Sequence, residues 1–264
     1  MTRLFVFFSS IALCVTCSAH DTWLVPSSYS AKPGETITFD LTSGMEFPKL
    51  DAAIKSERVH QARFRLGTEE GELKDFNPAE HALRLERAFA KDGTATLWLQ
   101  LKAKDIELSD EDVAHYLEEI RAPEEVQRKW AEQKGQTKWK ELYTKCAKTF
   151  VAVGNSAADR SWAEPVGLLL ELVPLTDPAA LRVGQPAKFK LLRNAKSLPA
   201  TAVALHVEGD SGPRYQSTDA EGVVTFPLEM EGPSMLATVH LTPPAAGKPW
   251  ESEFSTVTFE VKAK

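Results

Sequence analysis

The sequence predicts a mostly β protein with two antiparallel β-sandwich units, the second immunoglobulin-like or transthyretin-like, and a helical insert. Three observations lead to this prediction. Short segments alternate polar and apolar residues, as half-buried strands do. Turn residues such as Gly, Pro and Asp separate these segments. One stretch in the middle of the chain instead carries the signals of helices.

The first sandwich unit is predicted over residues 20–154. Pro33-Gly34 is a turn signal, and the residues that follow it alternate as in a strand. Asp92-Gly93 supplies a hairpin turn in front of another alternating segment. The strands predicted here cover residues 36–41, 61–66, 81–89 and 94–101.

The helical insert is predicted over about residues 109–151. Ser109 is a good N-cap, and the three acidic residues after it suit the positive end of a helix dipole. We expect interruptions at Pro123 and Gly135. The buried stripe of the insert is expected to consist of Trp130, Trp139, Leu142, Tyr143 and Phe150.

The second sandwich unit is predicted over residues 168–264, after a polar linker at residues 155–167. Turn signals separate about six short apolar or alternating segments in this part of the chain. The strands predicted here cover residues 168–173, 187–192, 202–208, 222–228, 234–241 and 256–262.

The N-terminus has the pattern of a secretory signal peptide over residues 1–19. Arg3 precedes an apolar run at residues 4–15, and Cys17-Ser18-Ala19 offers small residues at a cleavage point. The run is too short to cross a hydrocarbon core of about 30 Å. We therefore expect cleavage after Ala19, a periplasmic or secreted mature chain, and no transmembrane segment within it.

Composition narrows the class of partners. Loss of Arg3 with the signal peptide takes the formal net charge from −6 to −7, which argues against nucleic acid and anionic lipid as partners. Only Cys146 remains in the mature chain, so no intramolecular disulfide is possible. We expect Cys146 to be a small buried residue of the helical insert.

Six segments resemble the DUF4198 family in order and spacing, and together they span nearly the whole mature chain. They are AHDTWLVPSS (19–28), PGET (33–36), YTKCAK (143–148), LELVPLTDP (170–178), TDAEG (218–222) and STVTFEV (255–261). The resemblance implies an exported, two-part β protein. It also implies a metal role in nickel and cobalt uptake, with a membrane transporter or receptor as a further partner.

His20 is the leading candidate metal ligand. If cleavage follows Ala19, the free amine and the imidazole of His20 can chelate one ion. A second imidazole then completes the three-nitrogen arrangement called a histidine brace, which suits Cu(II). The amine has a reference pKa of about 7.7–8.0, so it loses its proton readily near neutral pH.

The second imidazole must come from elsewhere in the chain. Our first choices are His240, on the more polar face of a predicted strand and near a position where members of the family often carry a histidine, and His60. Asp21 and Glu46 are candidate oxygen donors or partners of an imidazole N–H. The remaining histidines of the mature chain are His81, His115 and His206.

Three classes of function remain open on this basis. The leading hypothesis is an exported periplasmic protein that binds one divalent transition metal ion (Cu, Ni or Co) and helps its capture or delivery. The alternative is a binding or adhesion module that recognises a protein or carbohydrate without metal. A copper oxidoreductase is a third hypothesis, although the chain carries no nucleophile, metalloprotease or phosphate-loop motif.

Overall fold

The computed structural model describes residues 20–245 and 247–264, so the predicted signal peptide lies outside the described residues. The described residues confirm a mostly β fold with a helical insert. The strands before the helices are β1 (Asp21–Pro26), β2 (Ser30–Ala31), β3 (Thr36–Gly44), β4 (Ala52–Ala53), β5 (Val59–Leu66), β6 (Glu69–Glu72), β7 (Asn77–Pro78), β8 (Leu83–Ala88), β9 (Gly93–Leu101) and β10 (Lys104–Leu108).

Two helices and a second series of strands follow. The helices are α1 (Asp110–Glu119) and α2 (Glu124–Gln133). The later strands are β11 (Trp139–Val153), β12 (Leu170–Pro174), β13 (Pro186–Arg193), β14 (Lys196–Ser197), β15 (Ala202–Val207), β16 (Arg214–Ser217), β17 (Val223–Pro227), β18 (Gly232–Thr242) and β19 (Trp250–Val261). Single 3₁₀ turns lie at Ser56–Arg58 and Ser161–Ala163.

Within the described part of the chain the strands form three sheets. The central sheet has ten strands in the order β16-β15-β18-β19-β11-β9-β5-β6, with β10 and β2 also paired to β11. One smaller sheet, β1-β3-β8-β7 with β4 on β3, covers one part of it. The other, β12-β13-β14 with β17 on β13, covers another part.

Each smaller sheet encloses a separate hydrophobic core against the central sheet. The first core joins β3 and β8 to β5, β9 and the end of β11, and includes Phe39, Leu85 and Leu97. The second joins β12, β13 and β17 to β15, β18 and β19, and includes Phe189 and Phe259. Side chains that alternate along these strands supply both cores, as expected for stacked sheets.

The predicted helix over residues 139–151 is wrong, because these residues belong to the fifteen-residue strand β11. Strand β11 runs parallel to β19 and antiparallel to β9 in the centre of the large sheet. Its residues from Cys146 to Val153 are all buried, so both faces are covered and the exposed–buried alternation typical of strands is missing. Without that alternation, the aromatic residues of this segment fit the pattern of a helical stripe.

The first part of the insert is helical, as predicted. The Ser109 hydroxyl accepts a hydrogen bond from the Asp112 backbone N–H at 3.1 Å and so caps α1. Gly135, with a φ of 75°, provides the left-handed residue between α2 and β11. Both helices pack on a third apolar cluster that contains Trp139, Trp250 and Phe254. No helix of the described residues is long and apolar enough to cross a membrane.

The two predicted halves share one sheet. Strand β11, from the predicted first unit, pairs with β19 from the predicted second unit over nine residues. The boundary at residues 155–167 stays a prediction, but the halves are joined by continuous backbone hydrogen bonding. Because strand β1 packs against this joined sheet, the residues at the start of β1 come close to residues from the second half.

Candidate functional site

Strand β1 lies across the central sheet and is held there by threonine hydroxyls. The Thr256 hydroxyl donates to the Thr22 carbonyl oxygen and the Thr258 hydroxyl to the Leu24 carbonyl oxygen, each at 2.6 Å. Trp23 packs on Met235 of β18. These contacts fix the head of β1, and hence His20 and Asp21, against β19, β18 and β15.

His206 shares the face of the central sheet that β1 covers. On β15 and β18 the pairs His206–Met235 and Ala204–Ala237 lie opposite each other. Side chains of paired residues point to the same face of an antiparallel sheet. Since Met235 packs on Trp23, the imidazole of His206 projects toward β1 as well.

The carboxyl group of Asp21 interacts electrostatically with three nearby basic groups. Burial raises the pKa of Asp21, while the neighbouring His206, Lys145 and His20 oppose that rise. Burial lowers the pKa of His206, and Asp21 opposes that fall. The structure therefore places a second imidazole, that of His206, in the same cleft as Asp21, which directly follows His20 in the chain.

Lys145 of β11 holds the backbone of His20. Its ammonium donates a hydrogen bond to the His20 carbonyl oxygen. The same ammonium lies 5.5 Å from the ring centroid of Tyr143 and 5.2 Å from that of Phe254. Residue 20 is thus positioned by a cation that itself rests on two aromatic rings.

An acidic cleft of about 340 Å³ opens beside Asp21 and His206. Partial burial and the charge of Asp21 raise the pKa of Glu119, at the end of α1, to about 7. The Tyr215 hydroxyl donates to the Glu119 carbonyl oxygen at 3.0 Å. The acidic residues that line this cleft are Asp21, Glu46, Glu119 and Asp210. Their charges favour a cationic ligand over an anionic one.

A second cavity of about 290 Å³ is lined by His20 and Lys145. Its walls are mostly apolar and include Ile106, Leu108, Tyr143 and Phe254. Glu141 at its base is almost fully buried and accepts hydrogen bonds from Tyr116, Trp139 and Ser252. Phe254 lines both cavities, whereas His20 lines only the aromatic one.

The other predicted ligands lie away from His20. His240 is paired with Glu253 and projects from the face opposite Met235, toward Arg193. His60 is exposed on β5 and lines a separate cavity. Glu46 is exposed at the acidic cleft.

The remaining candidates also lie elsewhere. His81 pairs through Nδ1 with the Asp51 carbonyl oxygen at 2.9 Å, and His115 is exposed on α1. Burial raises the pKa of Cys146 to about 12, so this thiol is not a reactive thiolate.

Within residues 20–245 and 247–264, no group of three or more His, Cys, Asp or Glu side chains is arranged to hold a metal ion. At the head of β1 the set would be completed by the backbone amine of His20. That amine exists only after cleavage in front of His20, because in the full chain the same nitrogen belongs to a peptide bond. The fit of the site therefore depends on the mature terminus.

One signal in the sequence could have singled out His206. It is the only ionisable residue of the strand Ala-Val-Ala-Leu-His-Val, residues 202–207. An imidazole in an otherwise apolar strand needs a polar partner when it is covered. The identity of the partner, Asp21, could not be read from the sequence because it depends on the crossing of β1 over β15 and β18.

Replacing His240 with Gln is expected to make the stability less sensitive to acid. Burial, with Arg193 nearby, lowers the pKa of His240 from 6.5 to about 4. As the pH falls from 6.5 to about 4, the unfolded chain takes up a proton that the folded chain does not, so folding weakens in wild type. Urea unfolding across this range should show a flatter pH profile for His240→Gln. An unchanged profile would contradict the placement of His240 beside Arg193.

The chain belongs to the DUF4198 family, a domain of unknown function, which matches residues 17–242. This confirms the family resemblance found in the sequence. No curated protein matches the chain.

Solved structures resemble the chain only distantly. The D0-D1 domain of intimin is 11% identical with a TM-score of 0.22, over 89% of this chain and 96% of that one. The Yersinia pseudotuberculosis adhesin InvE is 16% identical with a TM-score of 0.22, over 91% and 58%. A Legionella pneumophila DUF4785 family protein is 10% identical with a TM-score of 0.26, over 81% and 51%. At these scores the likeness says nothing about what this chain binds.

Proposed function

We propose that the mature protein, beginning at His20, binds one divalent transition metal ion at the head of β1 and serves its capture or delivery in the periplasm. The proposed ligands are the amine and imidazole of His20 and the imidazole of His206, with the carboxylate of Asp21 as an oxygen donor. The observation that carries this proposal is the position of Asp21, which directly follows His20 in the chain and lines the acidic cleft together with His206.

The donor set fits a borderline metal ion. Two imidazoles and an amine are nitrogen donors, for which Cu(II) has a higher affinity than Ni(II), Co(II) or Zn(II) in the usual stability order. Because the amine and imidazole of His20 belong to one residue, binding the first restricts the second and lowers the entropic penalty of chelation. Copper should therefore bind tightest in vitro, while supply in the cell decides which ion is carried.

The surroundings of the site suit an ion that must be released again. The acidic cleft attracts cations toward Asp21, and it is open to solvent at the exposed residues Met45 and Glu46. A membrane transporter or receptor that approaches this opening would reach the ion directly. This is the route we propose for delivery, in line with the nickel and cobalt uptake that the family resemblance implies.

Titration with Cu(II), in competition with a chromophoric chelator, tests the proposal. The variants are mature protein, His20→Ala, a form with one extra N-terminal residue, and His206→Gln. We expect each change to weaken binding about tenfold or more, which is about 1.4 kcal/mol. His240→Gln is the matched control, because it makes the same substitution on the opposite face of the sheet, and it should bind as wild type does.

The outcomes separate the competing hypotheses. Equal affinity for mature protein, His20→Ala and the extended form would reject His20 as a ligand and put the binding or adhesion module first. Loss of affinity in His240→Gln but not in His206→Gln would restore His240 as the second imidazole. Oxidation of a reductant with turnover by the copper-loaded protein would favour the oxidoreductase instead.

A further inference from the structure

Lys145 lies beside the proposed ligand His20, and both residues line the aromatic cavity. Its ammonium donates to the His20 carbonyl oxygen and its charge acts on the carboxyl group of Asp21. The rings of Tyr143 and Phe254 support the same ammonium at 5.5 and 5.2 Å from their centroids. The structure thus fixes a positive charge at the backbone of His20.

We infer that Lys145 is an internal competitor for the metal site: its ammonium, held at the His20 carbonyl oxygen, repels the incoming ion, which weakens binding and speeds release. This inference rests on the proposed function. It assigns to Lys145 a role in setting affinity, not a role as a ligand.

Lys145 has two opposing effects on metal binding, and their relative strengths decide which one dominates. The hydrogen bond to the His20 carbonyl helps to orient residue 20, which favours binding. The repulsion between an ammonium and a divalent ion is twice that between two single charges, and it is weakly screened in a partly buried site. Repulsion acts on the ion directly, whereas one hydrogen bond restricts only one residue, so we expect removal of the charge to tighten binding.

The strand on which Lys145 lies also provides a control. Lys140 is on β11 too, but it is exposed and lies in register with Glu107 of β10. Five positions separate the two lysines, so their side chains point to opposite faces of the strand. Lys140→Met therefore removes the same charge from the same strand without changing the surroundings of Asp21.

The experiment measures the affinity and dissociation rate of Cu(II) for mature protein carrying Lys145→Met, Lys145→Gln, Lys145→Arg or Lys140→Met. Lys145→Met and Lys145→Gln should bind about tenfold or more tightly than wild type, mainly through slower release. Lys145→Gln keeps a donor for the His20 carbonyl and so controls for loss of that hydrogen bond. Lys145→Arg keeps the charge, and it should stay close to wild type, as should Lys140→Met.

The results distinguish this inference from the proposed function. If wild type binds copper and both Lys145→Met and Lys145→Gln bind equally or more weakly while remaining folded by circular dichroism, the competitor role is overturned and the site stands. If neither wild type nor any of these variants binds copper, the proposed function fails and the inference fails with it. Binding that is measurable only after Lys145 is replaced would support both.

Discussion

Glu171→Gln is expected to lower the free energy of unfolding by about 3–5 kcal/mol, because it leaves a buried lysine without its counter-charge. Lys148 Nζ lies 2.6 Å from Glu171 Oε1, and both side chains are 2% exposed. Glu171 also accepts hydrogen bonds from the backbone N–H groups of Val166, Gly167 and Leu168. The pair joins the central strand β11 to the start of the second small sheet, so the loss should be global. Urea unfolding near neutral pH measures it.

A surface pair of the same composition provides the control. Lys138 Nζ lies 2.6 Å from Glu107 Oε1, but the two side chains are 77% and 46% exposed. Glu107→Gln should therefore change the stability far less than Glu171→Gln does, because solvent screens an exposed pair. Lys148→Met combined with Glu171→Gln should recover part of the loss, since no unpaired charge remains. A loss as small for Glu171→Gln as for Glu107→Gln would contradict the burial of the pair.

Trp139→Ala is expected to lower the free energy of unfolding by about 3–5 kcal/mol, the usual range for deleting a large aromatic side chain from a core. Trp139 is fully buried and stacks on Trp250 with ring centroids 4.3 Å apart. It meets Trp130 of α2 edge-on at 5.1 Å, and its Nε1 donates to Glu141 Oε2 at 2.7 Å. The helices depend on this ring for their contact with the central sheet.

The expected consequence is local as well as global. Helices α1 and α2 should exchange their amide hydrogens faster in Trp139→Ala, while strands β3 and β8 of the first core keep their protection. Trp139→Phe keeps an aromatic ring and loses the hydrogen bond to Glu141, so it should have a clearly smaller effect. Uniform loss of protection in Trp139→Ala, including β3 and β8, would contradict a separate third cluster.

Local chemistry allowed much of the fold to be predicted. Ser109 caps α1 because its hydroxyl satisfies a backbone N–H of its own helix, and nothing distant is needed. Strands such as β3 and β13 alternate between buried and more exposed residues over most of their length, so their period is visible in the sequence. Strand β11 could not be recognised, because burial on both faces depends on its neighbours β9 and β19, which are distant in sequence.

The candidate site was predictable only in part, for a similar reason. His20 and Asp21 follow the predicted cleavage point, and their chemistry is evident from the sequence. The second imidazole depends on which strands β1 crosses and on which face each histidine projects. His240 and His206 lie on adjacent strands, but Met235, which is paired with His206, lies an odd number of residues from His240. Residues that are an odd number of positions apart on a strand point to opposite faces of the sheet. His206 therefore lies on the face that β1 covers, and His240 lies on the opposite face.

The most direct test of the central claim is a crystal structure of the copper-loaded mature protein, with anomalous scattering recorded at the copper edge. We predict one strong copper peak at the head of β1, within bonding distance of the amine and imidazole of His20 and of the imidazole of His206. A copper peak at His60, His81 or His240 instead, or an ordered His20 without copper at full loading, would contradict the claim.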